Sequence, residues 1–114
     1  MDYQTLNWDD IEWEVIRKGV KRKVFHSEKT TVVLNHLEPN IEPNLHSHPH
    51  EQVAYIESGE CDFGVGDKVF HIKAGGMLTI PGNVKHYLKV CGDKTVVDID
   101  IFVPRREDYK TILK

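Results

Sequence analysis

The sequence predicts an all-β domain, a sandwich or barrel of short strands. Three observations carry that expectation. Short β-rich runs follow one another from Val20 onward. The breaks between them have turn chemistry: Glu38-Pro39-Asn40, Ser58-Gly59, Gly66-Asp67, Ala74-Gly75-Gly76, Pro81-Gly82-Asn83 and Gly92-Asp93. Each break supplies a preset φ or tolerance of positive φ. Helical periodicity is absent until after Pro104.

Taken in order, the first fourteen residues show no sustained period, yet set Trp8 and Trp13 among Asp9, Asp10, Glu12 and Glu14. Two tryptophans in so short a stretch predict that residues 1–19 form an arm packed on the barrel or on a partner subunit. Strands are expected over 20–26, 30–37, 43–46, 51–57, 60–65, 68–73, 77–80, 85–91 and 94–103. All belong to one domain spanning 20–114, and Gly66-Asp67 closes a tight hairpin. Beyond Pro104, Arg105 to Leu113 is spaced for a short terminal helix that lays Tyr109, Ile112 and Leu113 on the domain. Repeats, linkers and low-complexity segments are absent from the sequence.

A chain of 114 residues supports one core. Its 15 basic and 18 acidic residues are mixed along the chain, for a net charge of −3. That balance leaves no electrostatic footprint for nucleic acid or for an anionic membrane. The N-terminus lacks the basic start and apolar run of a secretory signal, so a reducing cytoplasm is expected, with Cys61 and Cys91 as unpaired thiols.

The chemistry concentrates in His46-Ser47-His48-Pro49-His50-Glu51-Gln52. His46 and His48 are spaced to project from one face of an extended strand and to converge on one metal ion. Gln52 opens the following strand. The distant His86 comes after the turn Pro81-Gly82-Asn83-Val84-Lys85, where another strand begins. His50 follows Pro49 in the connecting turn and is read as a bystander, while Glu51 points to the face opposite Gln52. His26, His36 and His71 are read as ordinary core or surface residues.

His46-x-His48-x-x-x-Gln52 with Gly59 downstream resembles the first cupin motif. Gly75-x-x-x-x-Ile80-Pro81-x-x-x-x-His86 resembles the second. The resemblance covers residues from about 20 to 109. It implies a double-stranded β-helix, or jelly-roll barrel, with one divalent transition metal (nickel, zinc, iron or manganese) held by His46, His48, Gln52 and His86. Two glycines usual in these motifs are replaced by Asn40 and by Asn83 beside Gly82, and asparagine also tolerates a left-handed backbone. The third ligand, commonly glutamate in the family, is the neutral Gln52. It leaves the centre with the full +2 charge of the metal, suited to anionic substrates.

The run from Thr95 to Val103 alternates, with Asp98, Asp100 and Phe102 on one face and Val97, Ile99, Ile101 and Val103 on the other. Periodicity alone allows the aliphatic face to be core and the aspartates to be solvated. The strand of His86 favours the reverse, with Asp100 and Phe102 lining the barrel beside the metal and the aliphatic stripe outside. That stripe then needs cover from the N-terminal arm or a second subunit, which predicts a homodimer.

The tail from Asp100 to Tyr109, together with 46–52, resembles the pectin-degradation cupins that linearise 4,5-unsaturated uronates. That resemblance implies Asp100, Phe102 and Arg106 as functional residues: Asp100 to shuttle a proton, Phe102 to shape the pocket, and Arg106 to anchor a substrate carboxylate by a two-pronged hydrogen bond. The expected function is therefore a non-redox, isomerase-like metal enzyme of carbohydrate metabolism, acting on a small sugar acid. A cupin dioxygenase or cyclase is the first alternative and a non-catalytic ligand-binding cupin the second.

Overall fold

A computed structural model of the chain describes residues 4–114. Its strands are β1 (Glu14–Arg17), β2 (Val20–His26), β3 (Thr31–Leu37), β4 (Glu51–Ser58), β5 (Glu60–Val65), β6 (Lys68–Lys73), β7 (Met77–Ile80), β8 (His86–Cys91) and β9 (Val96–Val103). Every pairing is antiparallel. One sheet has the order β1-β2-β3-β9-β4-β7 and the other β6-β5-β8.

Period-2 alternation explains how the two sheets close on a core. Ala54 and Ile56 of β4, Cys61 and Phe63 of β5, Leu88 of β8 and Val96 of β9 meet in the main cluster. A smaller cluster of Val24, Val33 and Phe102, joined by Tyr109, fills the end nearer the C-terminal segment. On β9 the choice left open by periodicity goes to the buried aspartates. Asp98 and Asp100 face inward with Phe102, while Ile101 and Val103 are exposed on the outer face.

Asn40 and Asn83 have φ of 65° and 68°, the left-handed backbone their turns require. The turn before β8 lies against the His48 segment: Asn83 N–H donates to the His48 carbonyl at 2.7 Å. A Cβ on Gly82 would stand 2.4 Å from the Pro49 carbonyl oxygen, so only glycine allows the approach.

Three expectations are corrected. The strand at 43–46 reduces to a single bridge between His46 and His86, whose backbones exchange hydrogen bonds of 3.1 and 2.9 Å. The terminal helix over 105–113 is absent; this segment is a non-helical strap with a single turn at 107–108. The barrel supplies partners that compete with helical ones: Arg106 N–H donates to Thr31 Oγ1 at 2.8 Å, Thr111 Oγ1 donates to the Val24 carbonyl at 2.8 Å, and Leu113 bridges Ile11. Residues 14–17, read as part of the N-terminal arm, form β1. This edge strand shows no alternating burial and has an irregular register between Val15 and Arg17.

Elsewhere in the arm, Trp13 packs 4.4 Å from the His36 ring and lies under the Lys21 and Lys23 ammonium groups. Lys23 Nζ donates to the Trp8 carbonyl at 2.8 Å, which accounts for a lysine only 5% exposed. Among the described residues no helix is long and apolar enough to cross a membrane.

Candidate metal centre

His46 and His86 are brought together by their backbone bridge, and His48 by the chain running on from His46 toward β4. One ring nitrogen of each lies within 4.8 Å of the others, forming a three-histidine metal-binding cluster. The tautomers are set by the backbone. Nδ1–H of His46 donates to the Asn44 carbonyl at 2.7 Å, that of His48 to the His50 carbonyl at 3.0 Å, and that of His86 to the Val84 carbonyl at 2.8 Å. All three Nε2 atoms are thereby left as lone-pair donors, the arrangement a carbonyl behind a ligating imidazole produces.

Two observations test whether these residues fit a metal. His86 Nε2 is buried with no hydrogen-bond partner. His48 Nε2 faces Gln52 Oε1 at 3.0 Å, and with its proton on Nδ1 this sets lone pair against lone pair unless a cation lies between. A metal held by His46, His48, His86 and the Gln52 oxygen satisfies both atoms. Electrostatics agree, because ligating imidazoles must be neutral. Burial, helped by the neighbouring His46, His48 and Arg106, pushes His86 down to about 4. Burial and then Arg106 lower His48.

Beside the cluster is a cavity of about 200 Å3 whose wall includes His46, Gln52, His86, Asp98, Asp100 and Phe102. Asp98 and Asp100 are both fully buried. Burial lifts Asp98 well above the usual carboxylate range, and the charge of Asp100 lifts it further. Burial also raises Asp100, but Asp98 and the amides of Gln52 and Asn35 hold it at about 6; Asn35 Nδ2 donates to Asp100 Oδ2 at 2.9 Å. Crowded together and buried, the two carboxyls favour a state in which at least one of them holds a proton.

The predicted site residues are placed as follows. Gln52 is 4% exposed and turned inward, whereas Glu51 is exposed on the opposite face. His50 lies at the rim, 6.4 Å from the Phe102 ring, with its Nδ1 buried and unpartnered. Phe102 packs edge-on to His48, ring centres 5.3 Å apart. Arg106 is buried, but not in the arrangement expected: Nε and Nη2 bind the two Asp108 carboxylate oxygens at 3.0 and 2.8 Å, leaving buried Nη1 as the unpartnered nitrogen. Its guanidinium lies 4.8 Å from the Phe102 ring and 4.0 Å from the Tyr109 ring, and both rings line the cavity.

Three cavity residues escaped the sequence reading. Arg22 lines the wall, its guanidinium 3.8 Å over the Tyr109 ring and its Nε bound to Glu14 at 2.8 Å. Tyr109 is held between Arg22 and Arg106, and Asn35 supports Asp100. A signal existed for two of them. Asn35 interrupts the Val33–Leu37 face of β3, and Arg22 the Val20–Val24 face of β2, each a polar group on an otherwise apolar inward stripe.

Comparison with known proteins is consistent with this geometry. Residues 33–102 match the family model described as Cupin domain. An acireductone dioxygenase of Bacillus pumilus (strain SAFR-032) is 26% identical over an alignment of 97 residues that covers 75% of this chain and 55% of that protein. One from Bacillus thuringiensis (strain Al Hakam) is 30% identical over an alignment of 94 residues that covers 77% of this chain and 55% of that protein. The chain therefore spans about half the length of the curated relatives it matches.

Among solved structures, KdgF from Halomonas sp. superposes with a TM-score of 0.85 at 21% identity, covering 94% of this chain and 98% of that one. An RmlC-like cupin from Shewanella frigidimarina NCIMB 400 superposes with a TM-score of 0.85 at 28% identity, covering 96% and 97%. The matched stretch of the family model contains all three histidines and Gln52, and the fold around them is that of the superposed cupins: the chain belongs to the cupin domain family.

Proposed function

We propose that this cupin is a non-redox metal enzyme that opens and ketonises a 4,5-unsaturated uronate. The observation that carries the reading is the buried Asp98–Asp100 pair, with Asp100 at about 6, in the same cavity as the three-histidine cluster. A carboxyl raised by burial and facing the same cavity as a metal site is suited to a reaction that removes one proton and returns it elsewhere. The resemblance of 46–52 and 100–109 to the pectin-degradation cupins supplies the substrate class.

The chemistry balances without a second reactant. Asp100 takes the proton of the C1 hydroxyl, C1 becomes a carbonyl, and the bond from C1 to the ring oxygen breaks. The electrons remain on that oxygen as an enolate conjugated with the C4–C5 double bond. Asp100 then delivers its proton to C4, leaving a ketone at C5. Asp98, with the more strongly raised pKa, keeps its proton and biases Asp100 between its two forms. A bound divalent metal supplies Lewis-acid polarisation of substrate oxygens and stabilises developing negative charge.

The substrate carboxylate is met by Arg22 at the cavity wall, with the unpartnered Nη1 of Arg106, behind Phe102 and Tyr109, as a further donor. Phe102 excludes water from one side. We further propose that the chain acts as a homodimer closed over the outer stripe of β9.

The direct test is loss of the ultraviolet absorbance of 4,5-unsaturated galacturonate on adding metal-loaded protein, since ketonisation removes that chromophore. Unchanged absorbance over many enzyme equivalents would sink the reading. The dioxygenase relatives favour a second reading, iron-dependent oxygenation. Oxygen uptake by the iron form, with no activity in the zinc form, would select it.

A further inference from the structure

The outer face of the sheet β6-β5-β8 carries a second group of metal-ligating side chains that the barrel chemistry does not use. Alternation sends Cys61, Phe63, Ile72 and Leu88 into the core, and Glu60, Asp62, His71 and Cys91 to the other side. Strand register sets Asp62 opposite His71 and Glu60 opposite Cys91. Neighbouring strands thus bring a carboxylate, an imidazole and a thiol into one patch. We propose that Asp62, His71 and Cys91 form a second transition-metal site, taking a borderline-soft dication such as zinc, with Glu60 orienting the imidazole.

The geometry supports the site in two independent ways. First, one donor atom from each of Asp62, His71 and Cys91 lies within 4.8 Å of the others. The set of imidazole, thiol and carboxylate is the chemistry of zinc and its neighbours, unlike the all-oxygen shells of calcium and magnesium. Second, both ring nitrogens of His71 face carboxylates: Nε2 is 2.7 Å from Glu60 Oε2 and Nδ1 is 2.8 Å from Asp62 Oδ1. A neutral imidazole has one N–H and satisfies one of these. The second nitrogen requires either an added proton or a cation in front of it.

With Glu60 accepting from Nε2–H, the pair has the form of the carboxylate–histidine arrangement that orients metal-bound imidazoles, and Nδ1 is left facing Asp62. The Cys91 thiol, raised by burial and the Asp62 carboxylate, is poorly ionised alone; a dication beside it reverses that preference. Such an ion would bind β8 and the edge strand β6 to β5, stapling the smaller sheet.

The two metal centres are spectroscopically separable. The barrel cluster offers nitrogen and oxygen ligands, and Cys61, the other cysteine, is sealed in the core. Reduced, metal-free full-length protein is titrated with cobalt(II). The expected result is two equivalents per chain, one of them giving a thiolate-to-cobalt charge-transfer band that zinc then abolishes. Cys91→Ser should lose the band and one equivalent while keeping the barrel equivalent. His71→Ala should weaken the second binding step by roughly 10–100-fold. Absence of the band in the reduced wild-type chain, persistence of the band in Cys91→Ser, or equal metal stoichiometry in the two proteins would overturn the proposal. His71 would then be an imidazolium held between two carboxylates.

Discussion

Asp98 and Asp100 project from alternate positions of one strand into the same cavity, where two buried negative charges are costly. If Asp100 carries the proton, Asp100→Asn should lower turnover by about 10²–10⁴-fold with metal content unchanged; full activity in the metal-loaded variant would remove Asp100 from the chemistry. The same pair sets a pH dependence. A carboxyl with a raised folded pKa stabilises the folded chain below its unfolded value, and that contribution is lost as pH rises through the folded value, about 6 for Asp100. His86, lowered to about 4, acts oppositely, so its neutral form favours folding increasingly from there up to its ordinary range. In metal-free protein, Asp98→Asn removes part of the first trend and leaves the second. The melting temperature of the variant relative to the parent should therefore climb as pH rises above the ordinary carboxylate range; a pH-independent difference would contradict the assignment. Arg22 belongs to this scale too. Arg22→Gln should raise KM by roughly 10–100-fold, with a smaller change in kcat, through loss of a charge-assisted carboxylate contact.

The metal centre depends on how a few elements meet. The turn 81–85 has to lie flat on the His48–Pro49 segment for His86 to reach His48, and Gly82 makes that contact possible. Gly82→Ala forces the turn away from the Pro49 carbonyl and should weaken metal binding by roughly 10–100-fold with the fold retained, as read by calorimetric titration. Beside the same cavity the strap 104–113 does what its predicted helix would not have done. It reaches from Thr31 across Val24 to Ile11, placing Tyr109 between two arginines and Arg106 behind Phe102. Its helical periodicity was legible, but the partners that outcompete helical hydrogen bonds lie far away in sequence, on β2, β3 and the arm. The unforeseen β1 has the same explanation, because an edge strand with one paired side need not alternate.

Across the whole molecule the arm covers one part of the large sheet's outer face and leaves another bare. Trp13 shields β2 and β3, whereas Met77, Ile101 and Val103 remain exposed on β7 and β9. The proposed homodimer buries this stripe, so Ile101→Glu should shift the protein to monomer in sedimentation velocity, since an unpaired carboxylate in an apolar contact is costly. A monomeric parent protein would refute it.

The sequence by itself determined most of the strand pattern, the inward faces of β4 and β8, and the pair of motifs that bring His46, His48, Gln52 and His86 to one centre. These are period-2 and turn signals, carried by residues close together in the chain. On β9 periodicity left both faces open, the His86 strand pointed to the aspartate face, and the tertiary structure agrees with it. Only the tertiary structure decided that Arg106 is already bound by Asp108, that Arg22, Asn35 and Tyr109 join the cavity, and that His71, read as an ordinary histidine, meets Asp62 and Cys91. Each of these depends on cross-strand register and on the path of the terminal strap. Local periodicity does not encode such relations, because they are settled only when distant segments compete for the same hydrogen bonds and the same buried space.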